Sequence, residues 1–245
     1  MPSLLAIETT TDTCSVAVYI DKHVHIEKTL RRPKVHAEHL VPMIQDVLAY
    51  SEIQPQDLDG IAVSEGPGSY TGLRIGVSTA KGLAFAHDLK LISVPSLSAM
   101  AFISLPFVPD DSNIVIARNS RRGEVYLAAF KKTSDRTFDV LLEPSALLIE
   151  NIEAELPEEV VSSDAVWVAG EGRSRMMEKL SQALKDRIIV LAGTQVSPSA
   201  GSVAYLGANY FHSGSFVDVS AYEPVYLKDF IPKLRTTSVF DRLPF

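Results

Sequence analysis

The chain has 245 residues, which is enough for one large domain or two smaller ones that each bury a hydrophobic core. Hydrophobic residues make up 46% and charged residues 22%, so the composition excludes disorder as the dominant state. The formal net charge of −7 argues against non-specific binding to nucleic acid, which normally needs a basic face, unless a partner supplies the binding groove.

Residue patterns also predict the cellular location of the protein. The N-terminal residues show no basic region and no apolar run of signal-peptide length. No window approaches the roughly 20 apolar residues of a membrane-spanning helix. The single cysteine, Cys14, can form no disulfide within the chain, and nothing resembles a thiolate metal site. We therefore expect a soluble, cytoplasmic protein that makes no contact with a membrane.

The first part of the chain predicts elements in the order βββαβαβα. Three successive β-rich runs predict an antiparallel meander, and the helices follow from apolar residues that recur on one face. The first helix is expected to begin near Ala37 or Glu38, because Pro42 lacks an N–H and belongs in a first turn. The predicted elements are strands at 3–8, 14–20, 23–30, 60–64 and 90–94, and helices at 37–51, at about 69–87 and from about residue 96.

A change in composition at residues 104–113, SLPFVPDDSN, predicts a lobe boundary. We place an N-terminal lobe at residues 1–105 and a smaller second lobe at residues 106–245, with a C-terminal tail that packs on either lobe. The segments IVIAR, EVYLAAF, FDVLLE and AVWVA predict strands of the second lobe. A helix follows over residues 199–214, with Ser199 as its cap and Gly214 as its stop. This order predicts an α/β fold with mixed sheets flanked by helices.

The stretch from Ser64 to Gly82, SEGPGSYTGLRIGVSTAKG, has the glycine content of a nucleotide-binding loop but not its pattern. A Walker A loop requires a Gly-Lys pair followed by Ser or Thr, and no such pair follows Gly66. A dinucleotide fingerprint requires its third glycine one place before Gly72. Neither phosphate-binding motif is therefore present.

The glycines instead predict a packing surface, because small residues recur every four positions at Gly72, Gly76, Ala80 and Ala84. Each glycine inside a helix costs about 1 kcal/mol relative to alanine, so two of them need a compensating contact. A ridge of small residues lets a second helix approach closely along the i±4 row. Two interpretations stay open: the ridge forms a subunit interface, or it packs on the protein's own sheet.

Three weaker patterns point to enzyme chemistry. The segment STAK, residues 78–81, matches a nucleophile motif whose companion motifs are absent. His36 and His39 are a candidate metal pair for a metal-dependent protease, although their spacing differs from H-E-x-x-H. Glu8 ends a strand before the turn Thr9–Thr11, as in a hairpin that holds phosphate and, through water, magnesium. The last pattern makes an ATP-dependent phosphotransferase of the actin-like superfamily the main alternative.

Taken together, five segments resemble the TsaB (YeaZ) family of the bacterial tRNA threonylcarbamoyladenosine pathway, a glycoprotease-like family. The segments are LAIETTTDTCSVAVY, HAEHLVPMI, GIAVSEGPGSYTGLRIGVSTAKGLAFA, ISVPSLSAMA and SRRGEVYLAAF, which cover most of the first 130 residues. GPGSYTGLRIG is the most specific of them. One departure is Asn119-Ser120-Arg121, where many relatives have Asp-Ala-Arg, and a role that depends on that aspartate is in doubt here.

The resemblance implies a two-lobed actin-like (ASKHA, ribonuclease-H-like) fold without catalytic apparatus or a cofactor of its own. ATP or ADP and metal are then expected on partner subunits. The implied partner is TsaD, which transfers the threonylcarbamoyl group to the adenosine next to the anticodon of tRNAs that read codons beginning with A. TsaE, an ATPase, is the third component, and tRNA is met through the complex. Without TsaD, a self-dimer is expected.

The resemblance further implies that the first two helices of the N-terminal lobe, residues 39–49 and 69–86, form the contact with TsaD or with a second copy. Replacing Gly76 by leucine is then expected to abolish pairing and leave the monomer folded. The predicted interface residues are His39, Leu40, Met43, Ile44, Val47, Leu48, Tyr70, Gly72, Leu73, Gly76, Val77, Ala80 and Ala84.

Overall fold

The computed structural model describes residues 1–120, 123–192 and 196–227, which form two five-stranded mixed sheets flanked by helices. The first sheet has the order β3-β2-β1-β4-β5, in which β1, β2 and β3 form the predicted antiparallel meander and β1, β4 and β5 are parallel. Its strands are β1 Leu4–Glu8, β2 Thr13–Ile20, β3 His23–Arg31, β4 Gly60–Gly66 and β5 Lys90–Pro95. The predicted α/β fold class with mixed sheets is confirmed.

The second sheet has the order β10-β9-β6-β7-β8, with β6, β9 and β10 parallel and β7 and β8 antiparallel. Its strands are β6 Asn113–Asn119, β7 Glu124–Ser134, β8 Thr137–Leu148, β9 Val166–Ala169 and β10 Ile188–Val190. The helices are α1 His36–Tyr50, α2 Tyr70–Ala86, α3 Ser96–Ser104, α4 Ile152–Glu155, α5 Glu158–Val161, α6 Arg173–Met177, α7 Gln182–Lys185 and α8 Ala200–His212. Short 3-10 turns occupy Pro55–Asp57, Leu105–Phe107 and Ile149–Asn151.

Local chemistry explains most element ends. Ser69 caps α2 by accepting the N–H of Gly72, and Ser199 caps α8 by accepting the N–H of Ser202, as predicted for that residue. The expectation that Pro42 lies in a first turn was wrong, because α1 begins at His36 and Pro42 falls in the second turn. Pro42 is exposed, so water can reach the backbone that its missing N–H leaves unpaired.

The helices form layers around the two sheets. On one face of the first sheet, α1 and α2 bury Leu40, Val47 and Val77 against the strands, and α8 covers the opposite face. The buried helix α3 packs on the inner face of the second sheet, and α4 to α7 cover its outer face. Helix α8 follows the second sheet in the chain and was assigned to the second lobe, but it packs on the first sheet. The first lobe is therefore built from both ends of the described chain.

Residues 217–226, here called the C-terminal strap, also return to the first lobe. The N–H of Val217 donates to the carbonyl of Leu91 at 3.0 Å, and the N–H of Val225 donates to the carbonyl of Glu65 at 3.0 Å. Residues 228–245 of the predicted tail lie outside the described residues. Among the helices that are described, none is both long and apolar enough to cross a lipid bilayer.

The ridge of small residues on α2 faces the protein's own β1–β2 hairpin. A Cβ added at Gly72 would clash with the carbonyl oxygen of Thr9, and one added at Gly76 would clash with the Thr9 hydroxyl. The Thr9 hydroxyl also donates to the carbonyl of Gly72 at 2.9 Å. Ala80 and Ala84 are buried in the core of the same subunit. The glycines are thus explained by packing within the subunit, and their explanation by a close-packed partner helix was wrong.

This packing predicts opposite effects of the same substitution at two glycines of α2. Gly76→Ala should lower the free energy of unfolding by about 1–3 kcal/mol, because the new methyl group overpacks the contact with Thr9. Gly82→Ala should raise it by up to about 1 kcal/mol, because its Cβ would meet no atom within 4 Å and alanine favours the helix. Urea unfolding of both variants measures the difference. Equal stability of the two variants would contradict the packing of Gly76 against Thr9. For the same reason we expect Gly76→Leu to prevent folding, rather than to abolish pairing of a folded monomer.

Candidate functional site

A cleft of about 610 Å³ lies between the lobes, beside the β1–β2 hairpin and the start of α2. Hydroxyl groups dominate its wall, together with two carboxylates, one arginine and one tyrosine. The lining residues are Thr10, Thr11, Asp12, Thr13, Gly68, Ser69, Arg118, Asn119, Ser120, Tyr126, Glu171, Ser197 and Pro198. Thr10 and Thr11 of the candidate phosphate-binding hairpin therefore lie in the wall of this cleft.

Glu8, the candidate magnesium residue, does not line this cleft. Its side chain is fully buried, and one carboxylate oxygen accepts both the N–H and the hydroxyl of Thr10 at 2.6 Å. The other oxygen accepts the hydroxyl of Ser64. Both oxygens are therefore committed to neighbouring protein donors, which makes Glu8 a structural part of the hairpin.

The glycine-rich loop before α2 is likewise occupied by internal contacts. The N–H of Ser69 donates to the carbonyl of Thr10 at 2.7 Å, and the Ser69 hydroxyl caps α2. A Cβ at Gly68 would overlap Thr10, so hairpin and loop touch backbone to backbone. In a phosphate-binding loop these groups would point to the ligand; here they point to each other.

Arg118 is a residue of the cleft that the sequence analysis did not single out. It ends the buried run of β6, is 4% exposed, and extends from the second sheet to the first lobe. Its guanidinium donates to the Thr10 hydroxyl at 3.0 Å, the Thr10 carbonyl at 3.1 Å and the Pro67 carbonyl at 2.8 Å. It also pairs with Glu171 at 3.0 Å. The signal for it was an arginine inside an otherwise apolar strand, a position that demands partners.

The two candidate histidines do not form a metal pair. His36 is buried, and its Nε2 donates to the carbonyl of Thr13 at 3.2 Å. His39 is half exposed and lies 3.8 Å from Glu38. Within residues 1–120, 123–192 and 196–227, no group of three His, Cys, Asp or Glu side chains could hold a metal ion.

The structure brings the predicted interface residues together on α1 and α2, but turns most of them inward. His39 and Tyr70 are half exposed, whereas the other eleven are buried within the subunit. The buried residues are Leu40, Met43, Ile44, Val47, Leu48, Gly72, Leu73, Gly76, Val77, Ala80 and Ala84. A protein that docks on these helices would instead meet their outward sides.

The outward sides of α1 and α2 expose large apolar groups. On α2, Phe85 is 83% exposed and a Cβ added at Gly82 would meet no atom within 4 Å. On α1, Tyr50 is 74% exposed and Val41 51%. Large apolar side chains exposed on neighbouring helices are candidates for contact with another protein. The sequence did not predict this outward surface, because the apolar residues that recur along each helix identify the face that packs in the core.

The C-terminal strap borders α2 on one side. Lys81 donates to the backbone carbonyls of Ser220 at 3.2 Å and Tyr222 at 2.7 Å. The Tyr222 hydroxyl lies 2.6 Å from that of Ser93, which donates to Glu65. Burial raises the pKa of Tyr222 to about 12 and also raises the pKa of Glu65. The strap is thus held to α2 and to the ends of β4 and β5.

Comparisons with known proteins place the chain in a family. The family model described as TsaD, tRNA N6-adenosine threonylcarbamoyltransferase, matches residues 31–201. The tRNA threonylcarbamoyladenosine biosynthesis protein TsaB of Haemophilus influenzae is 30% identical over 232 residues, which span 93% of this chain and 94% of the relative. TsaB of Escherichia coli is 29% identical over 231 residues, which span 92% and 94%.

Two solved structures from Pseudomonas aeruginosa agree with this placement. One, described as an uncharacterized protein with similarity to peptidase YEAZ, has a TM-score of 0.81 at 27% identity and covers 93% of this chain and 100% of its own. The other, YeaZ, has a TM-score of 0.78 at 26% identity and covers 92% and 100%. The resemblance predicted from the sequence is confirmed: the chain belongs to the TsaB (YeaZ) family, within the wider group that the TsaD family model describes.

Proposed function

We propose that this protein acts in tRNA threonylcarbamoyladenosine biosynthesis as the non-catalytic partner of a TsaD-type threonylcarbamoyltransferase. The names of its relatives support the pathway. In this proposal the transferase binds the outward sides of α1 and α2, and TsaE joins the complex. ATP or ADP and metal are held by the partner subunits, tRNA is reached through the complex, and the compartment is the cytoplasm.

One observation carries the non-catalytic part of the proposal, namely the internal use of Glu8. Its carboxylate accepts three hydrogen bonds from Thr10 and Ser64 and is fully buried. Hydrogen bonds to a charged group contribute about 1.5–3 kcal/mol each, so turning Glu8 toward a hydrated magnesium ion would cost several such contacts. The hairpin is therefore stabilised in a form that does not present the Glu8 carboxylate to the cleft.

The docking part of the proposal rests on the exposed side chains of α1 and α2. Phe85 is 83% exposed on a helix whose other face is fully packed, which leaves apolar area that binding would remove from water. The half-exposed His39 and Tyr70 lie on the same two helices and remain members of the proposed interface. A second copy of the chain would cover the same surface when the transferase is absent.

Phe85→Glu should weaken binding of the cognate TsaD-type transferase at least tenfold, because it places a charge where apolar contact is proposed. Its folding should be unaffected, since the side chain is largely exposed in the subunit. Phe107→Glu is the matched control, because Phe107 is a 43% exposed phenylalanine in the turn Leu105–Phe107, outside α1 and α2. Calorimetric titration measures both affinities. Equal binding by the Phe85 variant and the wild type would refute the proposed docking surface.

The main alternative is an ATP-dependent phosphotransferase, which the position of the cleft beside the hairpin favours. The role of Glu8 distinguishes it from the proposed partner function, because Glu8 would bind magnesium in the one and stabilise the hairpin in the other. Under the proposal, the isolated protein shows no micromolar binding of ATP with magnesium by calorimetry. Glu8→Gln should lower the free energy of unfolding by about 1–3 kcal/mol, whereas Asp12→Asn, at an exposed carboxylate of the cleft wall, should not. Micromolar ATP binding that disappears in Glu8→Gln without loss of stability would establish the phosphotransferase instead.

A further inference from the structure

Arg118 connects the second lobe to the segment from which α2 begins. It stands at the end of β6, yet three of its hydrogen bonds go to Thr10 and Pro67 of the first lobe, at 2.8–3.1 Å. The ion pair with Glu171 is its contact on the side of the second sheet, and that carboxylate is 44% exposed. A buried guanidinium held mainly by neutral oxygens of another lobe is a costly arrangement unless its geometry is maintained.

The groups that Arg118 holds are those that fix the first turn of α2. The carbonyl of Thr10 accepts both Arg118 and the N–H of Ser69, the residue that caps α2. The adjoining Thr9 donates its hydroxyl to the carbonyl of Gly72, one turn into the helix. A short chain of hydrogen bonds thus leads from β6, through the hairpin, to the start of α2.

The planar shape of the guanidinium matters to this connection. Its nitrogens reach the Thr10 hydroxyl, the Thr10 carbonyl and the Pro67 carbonyl at the same time, which spans both the hairpin and the glycine-rich loop. A lysine keeps the charge but has a single nitrogen, so it cannot hold both segments in one fixed geometry. Buried acceptors that lose their donor are destabilised, and the hairpin and the loop would then be free to separate.

We propose that Arg118 is a positioning residue through which the second lobe sets the placement of α2, and with it the affinity of the docking surface for the transferase. The inference rests on the proposed function as far as the transferase is concerned. Arg118 itself lies in the cleft, and its effect on the outward side of α2 passes through Thr10, Ser69 and Thr9. The second lobe therefore influences pairing without contributing a side chain to the outward sides of α1 and α2.

The test compares Arg118→Lys with Arg187→Lys. Arg187 is the matched control, because it donates to the carbonyls of Ala183 at 3.0 Å and Ser163 at 2.7 Å, both within the second lobe. Arg118→Lys should raise hydrogen exchange at the amides of Ser69 and Gly72 at least tenfold and leave the amides of the second sheet protected. It should also weaken binding of the transferase about tenfold. Arg187→Lys should do neither.

Two results would overturn the inference: unchanged exchange at the start of α2 in Arg118→Lys, or exchange that rises equally throughout both sheets, which would mark a general structural role. If the wild type does not bind the transferase, the proposed function fails, while the exchange data on the isolated chain still decide the role of Arg118. Should Arg118→Lys not fold, Thr9→Val interrupts the same path by removing the hydrogen bond to Gly72. It must then raise exchange at Gly72 without affecting the second sheet, and failure to do so refutes the path.

Discussion

The β1–β2 hairpin and the first turns of α2 approach each other more closely than two segments with side chains can. Thr9 occupies the space that a Cβ would need at both Gly72 and Gly76, and its hydroxyl bonds to the helix backbone there. Because the hairpin cannot move away without losing this contact, Glu8, Thr10 and Ser69 are held in one arrangement. The shape of the cleft and the placement of α2 both follow from this close approach.

The same contacts that stabilise the hairpin occupy three of the groups that a nucleotide site could use. The carboxylate of Glu8, the cap of α2 and the loop amide of Ser69 all have partners inside the protein. The positively charged guanidinium of Arg118 lies beside the hairpin and donates to the Thr10 hydroxyl. A fold with two lobes and a cleft between them is thus compatible with a role in which the outer surface of α1 and α2, rather than the cleft, meets the partner.

Features that depend on nearby residues were predictable from the sequence, and features that depend on distant ones were not. The order of strands and helices follows from local periodicity, and the cap at Ser199 from its residue type. The direction of the small-residue ridge was open because it depends on Thr9, which is 63 residues from Gly72. The role of Arg118 depends on Thr10, 108 residues away in the chain. Spacing along a helix identifies a face that needs close contact but does not name what fills it.

The return of α8 to the first sheet has a consequence for synthesis on the ribosome. The face of that sheet which carries Leu4, Ala62 and Ile92 is covered mainly by a helix that begins at Ala200, after the whole second sheet. At about 5–20 residues per second, the intervening hundred or so residues take on the order of 5–20 s to emerge. During that interval the nascent first lobe presents an uncovered apolar face. The first lobe can therefore complete its packing only when nearly the whole polypeptide has been translated.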